Sequence, residues 1–201
     1  MARYTGPKHR LARREGVNIF EKASQSLERR LTIPPGMHGR KSRRRIGDYA
    51  IQLREKQKTK RIYGVLEKQF RRLFKQAMKE KGATGERLLQ LLELRLDNVV
   101  YRLGFTPSRA MARQLVTHGH ILVDGKKLDI PSCEMKMNQT VLLDTKALAI
   151  PVVKKLLEDK KPVIPGWLER KAAAGRVLRL PTKEDLTTDI NEQLIVEYYS
   201  R

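Results

Sequence analysis

The sequence predicts an α+β fold, mostly helical. It reads as a helix-turn-helix plus β-hairpin module packed on a discontinuous helical domain, led by an extended basic N-terminal arm. Three observations predict this. Apolar residues recur at helical spacing through much of residues 48–117. Asp124-Gly125 stands between two short β-prone runs and marks a two-residue hairpin turn. Residues 1–45 lack periodicity but are rich in basic side chains.

In the arm, "LTIPPGMHGRKSRRR" places Pro34, Pro35, Gly36 and Gly39 ahead of Arg40, Lys41, Arg43, Arg44 and Arg45. Repulsion between like charges opposes collapse, so the arm is expected to order only against a partner. Ile33, Met37 and Ile46 are its apolar anchors. Asp48 is then expected to cap a helix through "YAIQLREKQKTK", broken near Tyr63-Gly64. A second helix follows, in which Leu66, Phe70, Leu73, Phe74, Ala77 and Met78 form one apolar stripe. Arg71, Arg72, Lys75 and Lys79 lie off that stripe, and Gly82 stops the helix. "ATGERLLQLLELRLDNVVYRLGF" is helical in two pieces that break near Glu93–Leu96, with Thr84 as cap and Gly104 as stop.

The stretch "TPSRAMARQLVTHGHILVDGKK" carries the most chemistry. Pro107 suits a first helical position with Thr106 capping. At about 100° per residue, Met111, Ala112, Leu115 and Val116 make an apolar side and Arg109, Arg113, Gln114 and Thr117 an outward one. Ser108 sits at the helix start, where free N–H groups and the helix dipole favour a phosphate. Gly119 is a natural left-handed stop. Arginines on the helix and Lys126 and Lys127 at the hairpin tip are positioned for one basic surface. Beyond it the sequence predicts a strand at Thr140–Leu143, a helix near Pro151–Asp159, a Pro-rich link, and a short helix around Trp167–Ala174 with Trp167 as a packing anchor. A final helix spans about Asn191 to Ser200, its Leu194, Ile195 and Tyr198 directed at the Phe70/Phe74 stripe. The expected domains are therefore an arm (1–45), a helical domain (46–92 with 153–201) and the module (93–152).

Composition points to a partner. The 201 residues hold 43 Lys and Arg against 22 Asp and Glu, a net charge of +21. Residues 1–90 carry 25 basic and 8 acidic side chains, residues 91–201 only 18 and 14. Solubility alone needs no such asymmetry, so a polyanion is the expected partner. A membrane fits poorly, because no apolar run approaches the roughly 20 residues of a spanning helix, and the first residues lack a signal-peptide core. Cys133 is the only cysteine, which leaves no disulfide framework. A cytoplasmic nucleic-acid-binding protein fits best.

No cofactor, metal or catalytic group is expected. His118 and His120 flank a glycine that splays them, and a structural zinc wants four ligands. The expected nucleic-acid-binding residues are Arg43, Arg44, Arg45, Arg54, Lys56, Lys58, Arg61, Arg71, Arg72, Ser108, Arg109, Arg113, Gln114, His118 and Lys126. Phosphate oxygens are their expected targets.

"RLDNVVYRLGFTPSRAMARQLVTHGHILVDG" resembles the RNA-binding module named after the fourth protein of the small ribosomal subunit. The module is shared with RNA pseudouridine synthases, some tyrosyl-tRNA synthetases and a heat-shock RNA-binding protein. "MARYTGPKHRLARREG", "PGMHG", "YAIQLREKQKTKRIYGVLEKQF" and "DINEQLIVEYYSR" extend the resemblance to the ribosomal family itself. That implies a structural protein of the small subunit, not a homo-oligomer, that binds small-subunit ribosomal RNA at a multi-helix junction, nucleates assembly and contributes to accuracy. It further implies contact with neighbouring protein five and with messenger RNA where it enters, and in some members repression of their own messenger or transcription antitermination. Some members carry a four-cysteine zinc knuckle at the N-terminus; the first 45 residues here hold no cysteine. Two alternatives share the module: a free-standing RNA chaperone, and an RNA-modifying enzyme in which Arg95-Leu96-Asp97 would supply a catalytic carboxylate.

Overall fold

The computed structural model describes residues 4–20, 24–39, 47–80, 82–158, 163–185 and 190–200. The chain divides into two compact units, 1–74 with 190–201 and 75–189.

The first unit contains α1 (Lys8–Glu15), α2 (Gln25–Glu28), α3 (Asp48–Ile62), the opening of α4 (Glu67–Lys79) and the C-terminal helix α10 (Glu192–Ser200). The leading segment is not extended throughout, as the sequence suggested. Ala12, Ile19 and Leu27 are buried. Arg13 donates from Nε to the Ile33 carbonyl at 3.0 Å and from Nη2 to the Pro34 carbonyl at 3.1 Å. Arg54 donates to the Arg14 carbonyl, and Arg61 pairs with Glu15. Specific pairing on carbonyls and a buried carboxylate offsets the like-charge repulsion. Of the expected anchors, Ile33 is half-buried, Met37 is 91% exposed, and Ile46 lies outside the described residues.

Asp48 is the first residue of α3 and Gly47 holds the cap position, so the carboxylate serves the positive helix end and not a capping hydrogen bond. The α4 stripe is narrower than the periodicity implies. Phe70, Phe74 and Ala77 are buried, while Leu66 and Met78 are exposed. Tyr199 of α10 stacks on Phe74 at 4.4 Å and on Phe70 at 6.3 Å. Tyr198, the residue expected there, instead meets Tyr49 at 5.7 Å.

The polar centre of this unit is Glu67. Its carboxylate accepts from Lys56 and Lys60, each at 2.9 Å, and from the Tyr199 hydroxyl at 2.9 Å. Lys56 lies over the Tyr198 ring at 4.4 Å. Burial alone would raise the Glu67 carboxyl, but these hydrogen bonds outweigh it and hold it at about 2. Burial, then the bond to Glu67, pushes the Tyr199 hydroxyl up.

The second unit contains α5 (Thr84–Glu93), α6 (Leu96–Arg102), α7 (Arg109–Thr117), the hairpin β1 (Ile121–Val123) and β2 (Lys126–Lys127), then β3 (Thr140–Leu143), α8 (Thr145–Leu148), α9 (Pro151–Glu158), β4 (Leu168–Lys171) and β5 (Ala174–Val177). One antiparallel sheet runs β2-β1-β3-β5-β4. Its inner face joins Val99, Val100 and Leu103 of α6, Leu115 and Val116 of α7, and Trp167 in one core. Asp124 and Gly125 both take positive φ (48° and 80°), as a tight hairpin turn requires. Asp124 also accepts from the Thr140 backbone N–H at 2.8 Å, which holds its carboxyl below the usual range and ties the turn to β3.

Three expectations are corrected here. Trp167–Ala174 is not helical: β4 and β5 form a hairpin turning at Ala172, whose φ is 51°. Alanine favours helix locally, but pairing with β3 and close packing override it. A Cβ on Gly175 would stand 2.3 Å from Leu103 Cδ1, so only glycine lets the strand approach. Pro107 does not open α7. Ser108 holds the cap position, its Oγ accepting from the Met111 N–H at 3.4 Å. Thr84 likewise begins α5 with Ala83 at the cap position.

Because the Glu67 carboxyl is held below its ordinary 4.5, its stabilisation is complete above pH 4.5 and is lost as pH falls towards about 2. Urea midpoints measured between pH 5 and pH 2.5 should therefore fall more steeply for the wild type than for Glu67→Gln. Parallel curves would remove Glu67 from the acid transition.

Candidate nucleic-acid interface

The α5–α6 junction, "ELRLDN", is buried although four of its six residues are polar or charged. Burying such groups is tolerable only when each finds partners. Arg102 donates to both Glu93 oxygens, at 3.0 and 2.7 Å. Asn98 donates to the Glu93 carbonyl at 2.9 Å and to its carboxylate at 2.6 Å. Arg95 holds Asp97 through two parallel bonds of 3.0 and 2.7 Å. This explains why the helix breaks at Leu94-Arg95: the carboxylates and guanidiniums meet only across a bend.

The network reaches α7. Arg109 donates from Nε to Asn98 Oδ1 at 2.8 Å, with its guanidinium 4.5 Å from the Tyr101 ring centre. Arg113 Nε lies 3.9 Å from Asp97 Oδ2, and its side chain is only 11% exposed. The expectation that both arginines stand outward is corrected: Asn98 and Tyr101 of α6 hold Arg109, and Asp97 of α6 holds Arg113. Gln114, Thr117 and His118 of the same flank are exposed. Gly119, at φ 68°, ends the turn, and a Cβ there would meet Lys127 Cε at 2.7 Å. The hairpin therefore lies against the end of α7, and Lys126 and Lys127 are both exposed.

The other expected residues fall into three groups. Arg54, Arg71 and Arg72 are exposed. Lys56 is buried on Glu67, Lys58 pairs with Glu55 at 3.2 Å, and Arg61 pairs with Glu15. These three cations hold the first unit together, and Lys56 presents no ammonium to a ligand. Arg43, Arg44 and Arg45 lie outside the described residues.

His118 and His120 rings stand 6.2 Å apart. Among the described residues, no group of three or more His, Cys, Asp or Glu could hold a metal ion, and no helix is long and apolar enough to cross a membrane. Arg170 escaped the sequence reading. It donates to the carbonyls of Leu103 at 3.0 Å and Leu156 at 3.1 Å and lies over Phe105, so it closes the ends of α6 and α9. No local pattern marks it, because its partners lie 14 and 67 residues away.

Removing Glu93 alone strands a buried guanidinium, which costs about 3–5 kcal/mol. Glu93→Leu should lower the unfolding free energy by that order, and Glu93→Leu with Arg102→Met should recover much of it. Additive losses in denaturant titrations would mean that the pair is not coupled.

Comparison with known proteins matches two adjoining stretches of the chain. A family model described as the ribosomal protein S4/S9 N-terminal domain matches residues 3–93, and the S4 domain model matches residues 94–141. Small ribosomal subunit protein uS4 of Dictyoglomus turgidum is 53% identical over 208 residues, covering all of both chains. The proteins of that name from Chloroflexus aurantiacus and Thermus thermophilus are 53% and 49% identical, again over the whole of each chain. With both family models in register along the chain and half of all positions identical end to end, this protein belongs to the ribosomal protein S4 family.

Proposed function

We propose that this chain is a structural, non-catalytic protein of the small ribosomal subunit that binds small-subunit ribosomal RNA directly, nucleates assembly and contributes to translational accuracy. The observation that carries the reading is the placement of charge. Residues 1–74 and 190–201 hold 22 basic against 8 acidic side chains, and residues 75–189 hold 21 against 14. In a member of the S4 family, an excess of that size is matched to a polyanion on the ribosome. Localisation is then cytoplasmic and ribosome-bound.

The mechanism is electrostatic capture followed by shape recognition. Arg54, Arg71 and Arg72, with Arg43, Arg44 and Arg45, supply long-range attraction and phosphate contacts. On the second unit, Ser108, Gln114, His118 and Lys126 offer hydrogen bonds to phosphate and ribose. Arg109 and Arg113 act from fixed positions. Their guanidinium heads are already oriented by Asn98 and Asp97, so little side-chain freedom is lost on binding. Lys56, Lys58 and Arg61 contribute to the field while serving the fold. The finer assignments are of the same kind: one copy per subunit, contact with neighbouring protein five, and contact with messenger RNA where it enters.

The enzymatic alternative has no support in the site. Asp97 is buried with both oxygens held by Arg95, which leaves no open carboxylate for attack or proton transfer.

Binding to small-subunit RNA should weaken steeply with salt, with a log–log slope of about −0.7 to −0.9 per phosphate contact. Gln114→Ala, His118→Ala and Lys126→Ala together should reduce affinity with an unchanged circular dichroism spectrum. Arg109→Ala with Arg113→Ala should reduce both affinity and stability, since both residues belong to the buried network. A flat salt series in filter binding would reject the reading.

A further inference from the structure

The sheet of the second unit has two unlike faces. Alternation buries Ile121, Val123, Val141, Leu143, Gly175 and Val177 on the inner one. Register defines the outer one. Lys127 lies opposite Leu122, Leu122 opposite Leu142, Leu142 opposite Ala174, and Ala174 opposite Lys171. A second row sets Thr140, Arg176 and Glu169 side by side. Leu122 and Leu142 are half-buried yet are not part of the core cluster. The outer face is thus a narrow aliphatic strip with a lysine at either end and an arginine beside it.

Cations outnumber acids on it. Lys127, Lys171 and Arg176 are exposed, Lys171 to 82%. Two acids border the second row: Glu169, with Lys171 2.9 Å from it, and Asp124, which accepts from the Thr140 hydroxyl at 3.0 Å. Lys171, then Arg176 across the strand, holds the Glu169 carboxyl below its usual range. β4 and β5 also fall outside the residues matched by either family model, and they widen the sheet from three strands to five. Five strands at about 4.8 Å spacing set β2 and β4 roughly 19 Å apart.

We propose that this outer face receives the wide, shallow minor groove of an RNA duplex, with ribose on Leu122, Leu142 and Ala174 and the bordering phosphates on Lys127, Lys171 and Arg176. The inference rests on the RNA-binding reading above and adds a surface that meets the end of α7 at Lys127. Duplex RNA is favoured over a single strand because neither row contains an aromatic ring on which an unstacked base could lie. It is favoured over a protein because three aliphatic side chains are too few for an interface core, while cations outnumber acids on the face. A groove wall of ribose accepts a flat aliphatic strip, and its two backbones accept cations at the strip's ends.

The test uses the whole chain and small-subunit ribosomal RNA. Lys127→Ala, Lys171→Ala and Arg176→Ala combined should make the salt slope shallower by about 2–3, near 0.9 per lost contact. Hydroxyl-radical footprinting should then lose ribose protection across one minor groove while protections that depend on Gln114 and His118 persist. Glu169→Gln leaves Lys171 unopposed and should tighten binding by about threefold, a gain that misfolding cannot imitate. Unchanged slope and footprint in a natively folded triple variant, beside a wild type that binds normally, would overturn the inference alone. So would normal RNA binding by that variant combined with loss of another subunit protein from reconstituted particles, which assigns the face to a protein. A wild type with no salt dependence would overturn the RNA-binding reading itself, and this inference with it.

Discussion

A carboxylate and a guanidinium buried together at a helix break organise the second unit. Glu93 ends α5 and Arg102 ends α6, and their paired hydrogen bonds fix the bend between the two helices. Asn98 turns that pair into a relay, because the amide that donates to Glu93 also accepts from Arg109. Asp97, clamped by Arg95, does the same for Arg113. The buried charges cost desolvation free energy that an aliphatic core would avoid. What they provide is direction: two long, flexible side chains on α7 leave the helix at set angles. A surface built to meet a rigid polyanion gains from cations whose orientation is settled before contact.

The first unit uses the same chemistry for closure. Glu67 gathers Lys56, Lys60 and Tyr199 from α3 and α10, and the rings of Tyr199, Phe74 and Phe70 stack beside it. A unit with such an excess of cations repels itself, and its few acids are placed where they neutralise most. Glu15 meets Arg61, Glu55 meets Lys58, and Glu67 meets two lysines. Cations that look equivalent in composition therefore divide into those that hold the fold and those left for a ligand.

That division is where sequence reasoning stops. Helical periodicity located α3 to α7 and α10 to within a few residues, the Asp124-Gly125 turn located the hairpin, and strand alternation located β3. The motif flanks identified the family before any coordinate did. Lys56 and Arg54 sit two residues apart in one helix, and nothing local says that one is buried on a carboxylate and the other exposed. The fate of Lys56 depends on Glu67, Tyr198 and Tyr199, and that of Arg54 on the Arg14 carbonyl, all of which arrive from elsewhere in the chain.

Pattern and composition by themselves determined the class of protein, the order of its elements, and the polyanionic nature of its partner, because these follow from short-range spacing and summed charge. Tertiary structure alone decided that an alanine-rich stretch becomes the β4–β5 edge of the sheet, that the leading segment folds on α3, and that Arg109 and Arg113 turn inward. Each of those outcomes is a contest between a local preference of a few tenths to one kcal/mol and contacts with distant residues. Leaving one member of a buried charge pair without its partner costs about 3–5 kcal/mol, several times that preference, so the distant contact wins.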